Sequence, residues 1–150
     1  MDKLEKLVNI LRKTKNLVFF GGAGVSVASN IPDFRSSNGL FQEIGMSTPE
    51  ELLSRRYFDQ HPEVFFNFYK SRMIYPEAKP NPAHLALSRL EEMGKLQAVI
   101  TQNIDCLHQM AGNSNVIELH GTIKENYCLK CNKFYSLDYV MKVEGVPYCS

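Results

Sequence analysis

Leu4, Leu7, Val8 and Leu11 recur at helical spacing with Lys and Glu between them, which predicts an amphipathic helix at the start of the chain. After Asn16 the run Leu17-Val18-Phe19-Phe20 is unbroken and apolar, closed by Gly21-Gly22. A run of that length bounded by glycine predicts a strand buried on both faces of a parallel sheet. Leu96 to Thr101 and Val116 to Leu119 predict a second and a third strand. Residues 30–47 are rich in Asn, Ser, Gly and Pro without periodicity and predict a long loop, which in a compact domain usually serves function. Ser47-Thr48-Pro49-Glu50-Glu51 has the hydroxyl, proline and acids of a helix start. A further helix is predicted over His61 to Arg72. Another opens at Asn81-Pro82 and runs through Leu85, Leu87 and Leu90 to a stop near Gly94. Beyond Gly121 the pattern shortens to extended pieces around Cys128 and Cys131, and Ser136 caps a last helix through Met141.

Strands and helices in alternation predict an α/β fold on a parallel sheet. Three strands are few against the roughly six of a doubly wound dinucleotide-binding fold, whose ligand lies where two halves meet. The sheet is therefore expected to be incomplete in this chain. With 17 Lys and Arg against 16 Asp and Glu, the net charge of +1 speaks against a broad basic surface and direct nucleic-acid binding. Apolar stretches of a few residues fall far below the roughly 20 that span a membrane. The charge-interleaved first residues do not follow a signal-peptide pattern. A cytoplasmic protein with no membrane partner is expected. In that compartment Cys128-x-x-Cys131 points to metal binding or redox chemistry before a disulfide.

Gly22-Ala23-Gly24-Val25-Ser26 follows the first predicted strand. It reads either as a plain strand-to-helix turn or as a turn whose backbone N–H groups approach a phosphate. Asp33, Phe34 and Arg35 stand together in the loop that follows. They are either solvated or a cofactor cover, with the guanidinium on a phosphate and the ring shielding a reactive sugar. Thr101-Gln102-Asn103-Ile104-Asp105 ends the second strand, where α/β sheets bind ligands; alternatively Asn103 and Asp105 cap the next turn. His84 and His108 fall within helical patterns and read as packing or surface residues, and His61 as part of a helix start. His120, in Leu119-His120-Gly121, instead ends a strand facing the same cleft, where a histidine is a natural general base.

Taken in order, Gly22-Ala23-Gly24-x-Ser26, Ile31-Pro32-Asp33-Phe34-Arg35, Thr101-Gln102-Asn103-Ile104-Asp105-x-Leu107-His108, Ala111-Gly112, Leu119-His120-Gly121 and Cys128-x-x-Cys131 closely resemble the N-terminal part of a sirtuin, an NAD-dependent protein-lysine deacylase. Asn30 stands where that family usually has glycine, and asparagine tolerates positive φ better than most residues. The resemblance implies a Rossmann-like NAD-binding domain over residues 1–121, with a helical insertion at about 47–80, and an incomplete zinc-ribbon module over 122–150. It assigns Gly22, Ala23, Gly24 and Ser26 to the diphosphate, and Asp33, Phe34 and Arg35 to the cofactor loop. Gln102, Asn103, Ile104 and Asp105 would form the ribose and nicotinamide pocket, and His120 would be the catalytic base. Cys128, Cys131 and Cys149 would be three ligands of a structural zinc, with a fourth expected beyond residue 150, while Cys106 is a packed thiol.

The implied substrates are acylated protein lysines, acetyl foremost, and the implied products are nicotinamide and O-acyl-ADP-ribose. Tyr69-x-x-Arg72 resembles a pair that some members use for acidic acyl groups, against the plainer reading of a solvated helix face. A protein ADP-ribosyltransferase, or a non-catalytic NAD- or zinc-binding fragment, are the rival readings. The remaining C-terminal half of the fold is expected as a partner. Without it, residues 1–150 are expected to fold poorly, bind NAD weakly and turn over little.

Overall fold

The computed structural model describes residues 2–33 and 49–149. Its first helix, α1 (Lys3–Lys13), starts at Asp2, whose backbone N–H donates to Glu5 Oε2 at 3.2 Å. Lys95 Nζ donates to the carbonyls of Leu11 and Arg12 at 2.7 and 2.9 Å, closing the helix's last turn. Strand β1 (Leu17–Gly21) follows, then a 3-10 segment over Ala23–Ser29. Three short helices come next: α2 (Pro49–Leu52), α3 (Arg55–Gln60) and α4 (Pro62–Phe68). A single π turn over Tyr69–Met73 extends α4. The helix predicted over His61 to Arg72 is thus split between α and π geometry. Helix α3 carried no clear apolar period; Ser54 Oγ caps it by accepting the Tyr57 N–H at 3.1 Å. The predicted start at Ser47 and Thr48 lies outside the described residues.

Helix α5 (Pro82–Glu92) stops before Gly94, and β2 (Leu96–Thr101), the short α6 (Leu107–Met110) and β3 (Val116–Glu118) complete this part. Strand β2 lies between β1 and β3, parallel to both, with Phe19 opposite Val99 and Ile100 opposite Ile117. All three carboxyl ends therefore face one edge. Leu87, Leu96 and Val99 form the core between α5 and the sheet, with Leu17, Phe19, Leu90 and Val116 packed around them.

The expectation of strands buried on both faces is corrected here. Val18, Phe20 and Ile117 point to the opposite face and are exposed, because no described element covers it. The apolar stripe of α1 is likewise exposed at Leu4, Leu7 and Ile10. A Cβ at Gly112 would lie 2.9 Å from Ser88 Oγ at φ +106°, so the loop into β3 needs glycine there.

A second, two-stranded sheet pairs β4 (Glu125–Tyr127) with β5 (Phe134–Ser136) antiparallel, and α7 (Leu137–Lys142) follows. As predicted, Ser136 caps α7, accepting the Tyr139 N–H at 3.3 Å.

Candidate active site at the strand carboxyl ends

At the end of β1, Gly22 is extended and the chain turns directly into the 3-10 segment. Gln102 N–H donates to Gly21 O at 3.0 Å, which holds the turn against the end of β2. N–H groups at the start of such a segment have no carbonyl partner inside it. A Cβ on Gly24 would meet nothing within 4 Å, so the turn offers open space for a ligand to approach the backbone. The segment ends at Asn30, which is left-handed at φ 63°, a conformation asparagine accepts where glycine is usual.

Within that segment Ser26 is fully buried. Its Oγ donates to Asp105 Oδ2 at 2.7 Å and accepts from Asn103 Nδ2 at 3.0 Å. Asp105 Oδ1 accepts the Leu107 N–H at 2.9 Å and so caps α6. The turn-cap reading of Asp105 is borne out by Oδ1, and its Oδ2 is engaged by Ser26. A cleft opens beside this unit, lined by Ala23, Ser26, Ile31 and Pro32 on one side and Asn103, Ile104 and Asp105 on the other. Arg72, Met73 and Tyr75 close its third side.

His120 is exposed beyond β3, and its Nδ1 lies 3.0 Å from the Gln102 carbonyl. A carbonyl only accepts, so Nδ1 is the donor in this bond and Nε2 is the ring nitrogen left for proton exchange. Asp33 is half-buried where the described segment ends. Phe34 and Arg35 lie outside the described residues.

Tyr69 and Arg72 have different surroundings. Arg72 lines the cleft, whereas Tyr69 packs against the cluster of Ile74, Cys106 and Ile123. Burial, with a smaller contribution from the Cys106 charge, pushes the Tyr69 hydroxyl up to about 12. Cys106 is buried, as expected of a packed thiol, and burial raises its pKa. Its left-handed backbone at φ 63° has no counterpart in the sequence pattern.

His84 and His108 are both buried, with ring centroids 4.7 Å apart behind the Asp105 turn. Desolvation lowers both pKa values, that of His108 to about 4. Sequence reasoning missed Met73, Tyr75 and Asn81. For Asn81 a signal existed, since Asn-Pro-x-His places an Asx cap and a returning imidazole three residues apart: its backbone N–H donates to His84 Nδ1 at 3.3 Å.

The sulfur atoms of Cys128, Cys131 and Cys149 lie within 4.8 Å of one another, with 3.5 Å between Cys131 and Cys149. Thiolates sharing a tetrahedral zinc are about 3.8 Å apart, from a Zn–S length of about 2.3 Å. The donor set therefore fits a zinc ion. Asn132, left-handed at φ 58°, turns the knuckle and donates its N–H to Cys128 O at 2.9 Å. Backbone N–H groups of Cys131 and Lys130 pull the Cys128 thiol down to about 7. No helix among the described residues is long and apolar enough to cross a membrane.

The Sir2 family profile matches residues 22–149. The NAD-dependent protein deacetylase of Clostridium perfringens (strain 13 / Type A) is 57% identical over 151 residues, which cover 99% of this chain and 62% of that protein. The protein of the same name from Sulfolobus acidocaldarius is 44% identical, over 99% of this chain and 60% of its own. A solved structure described as the basis for the mechanism and regulation of Sir2 enzymes superposes with a TM-score of 0.85 at 41% identity, over 99% of this chain and 59% of that one. A Sir2–p53 peptide–NAD+ complex gives 0.75 at 42% identity, over 91% and 53%. The chain thus spans about three fifths of the length of the curated relatives it matches. With that family match running from residue 22 to 149 and a relative 57% identical over 99% of the sequence, the chain belongs to the Sir2 family.

Proposed function

We propose that the protein carrying this chain is an NAD-dependent protein-lysine deacylase acting foremost on acetyl groups, with nicotinamide and O-acyl-ADP-ribose as products. The observation that carries the reading is the hydrogen-bonded unit of Ser26, Asp105 and Asn103 at the cleft, with His120 held by the Gln102 carbonyl at the same strand ends. NAD, when bound, supplies a ribose carbon that becomes electrophilic as nicotinamide departs. Gly22, Ala23, Gly24 and Ser26 hold the diphosphate, and Asp33, Phe34 and Arg35 cover the sugar from water. Gln102, Asn103, Ile104 and Asp105 orient the ribose and the nicotinamide amide. With NAD and an acylated lysine bound, His120 would act as general base, accepting on Nε2 the proton of a ribose hydroxyl so that the acyl group could pass to the ribose, with nicotinamide and the lysine amine leaving and one water consumed.

Residues 1–121, with the insertion at about 47–80, are read as the Rossmann-like part and 122–150 as the zinc module. Cys128, Cys131 and Cys149, with a fourth ligand, hold a structural zinc remote from the chemistry. Acylated protein lysines are the proposed substrates, a reading supported by a related Sir2 structure that holds a deacetylated p53 peptide with 3'-O-acetyl-ADP-ribose, and the cytoplasm is the proposed compartment.

The test is His120→Ala in the full-length protein. Deacylation is expected to fall at least a hundredfold, on the scale of general-base catalysis, while NAD binding and the melting temperature are kept. Unchanged turnover would refute the assignment.

A further inference from the structure

Asn81 lies between two pieces of chain distant in sequence. It is 6% exposed at the N-terminus of α5, where its Oδ1 accepts the Ala83 N–H at 2.9 Å. Its Nδ2 donates twice across the fold, to Val25 O at 2.8 Å and to Ser29 Oγ at 2.9 Å. Both amide protons and the amide oxygen are therefore engaged, and no shorter or singly functional side chain can reproduce the set. Val25 and Ser29 flank Ser26, the residue whose hydroxyl meets Asp105 and Asn103.

The segment needs such a clasp. It holds 3-10 geometry over seven residues, longer than the three or four that this helix type sustains unaided. Hydrogen bonds of 3-10 geometry are in general less well aligned than those of an α-helix, so a relaxed α turn is an accessible alternative. That change would rotate Ser26 away from Asp105 and shift the N–H groups at Ala23 and Gly24. Asn81 ties Val25 and Ser29 to a helix that is itself packed on the sheet through Leu87. The turn's geometry is thereby referred to the rigid core.

We propose that Asn81 is a positioning residue for the cofactor turn: its carboxamide caps α5 with the oxygen and, with both N–H groups, locks the turn that carries Ser26. This rests on the reading of the turn as an NAD site. Asn81 is not part of the cleft lining that includes Ser26, Asn103 and Asp105, and acts through Val25, Ser29 and Ser26. The specific consequence is a defect confined to NAD, since both bonds end on the turn that carries Ser26.

The experiment uses the full-length protein with NAD and an acetylated peptide as probes. Asn81→Ser keeps an oxygen that can cap α5 but removes the clasp; Asn81→Asp keeps the cap and sets a carboxylate against the Val25 carbonyl. Both are expected to raise KM for NAD about tenfold, with less than a twofold change in KM for peptide. Ser29→Ala, which removes one of the two bonds, should give an intermediate rise and add little to Asn81→Ser, because the two residues act as a unit. Should Asn81→Ser fail to fold, Ser29→Ala carries the test alone. General destabilisation would lower the melting temperature without splitting the two KM values, since the protein stays folded at the assay temperature. Unchanged KM for NAD in a folded, active Asn81→Asp protein would overturn the inference and leave the deacylase reading standing. A wild-type protein that neither binds NAD nor releases nicotinamide would overturn both.

Discussion

Acidification should destabilise this fold through His108 at a pH where carboxylates are still silent. The ring is 1% exposed, 5.9 Å from Phe19 and 4.7 Å from His84, and neither nitrogen meets a hydrogen-bond partner among the described residues. Burial and the neighbouring His84 lower its pKa from 6.5 to about 4, with the Asp105 charge opposing. The unfolded chain takes up this proton as pH falls below 6.5, and the folded chain only near 4. Stability is therefore complete above 6.5 and declines as pH falls through that window. At about 1.4 kcal/mol per tenfold change in proton affinity, the ceiling is about 3 kcal/mol, of which about 2 kcal/mol is lost by pH 5. His84 adds in the same direction. The assay is urea unfolding of the full-length protein at pH 7.5, 6 and 5, followed by far-UV circular dichroism. His108→Phe keeps an aromatic ring in the core and removes the titration, so its loss from pH 7.5 to 5 should be smaller than wild type by about 2 kcal/mol. Equal losses in the two proteins would refute the reasoning.

Arg72→Met should leave deacetylation within twofold, because the neutral acetyl group has no charge for the guanidinium to meet; a large selective loss of desuccinylation would instead identify Arg72 as an acidic-acyl contact. Cys149→Ser should abolish zinc retention measured by elemental analysis and lower the melting temperature, since a structural metal site contributes folding free energy directly. Gly112→Ala should cost about 2 kcal/mol or more in chemical denaturation, combining positive φ with the clash on Ser88. Gly94→Ala, left-handed but with open space around it, should cost about 1 kcal/mol.

The parallel sheet and the family resemblance were legible in the sequence because their signals are local. Apolar runs bounded by glycine marked the strands, and Ser136 and Asn81-Pro82 announced the helices they cap. Asn30 was read correctly as a residue able to take positive φ. What escaped is non-local. The exposure of Val18 and Phe20 depends on what covers the far face of the sheet, and alternation within a wholly apolar run cannot report that. Tyr69 and Arg72 both lie on a π turn, a geometry that the sequence pattern does not announce, and they face different surroundings. Asn81 escaped because its partners Val25 and Ser29 lie more than fifty residues away.

The most direct measurement incubates the full-length protein with NAD and a peptide bearing one acetyl-lysine, and follows all products by mass spectrometry. The expected outcome is nicotinamide, free lysine peptide and O-acetyl-ADP-ribose in equal amounts, all dependent on His120. Nicotinamide release with the acetyl group retained and ADP-ribose attached to protein would contradict it.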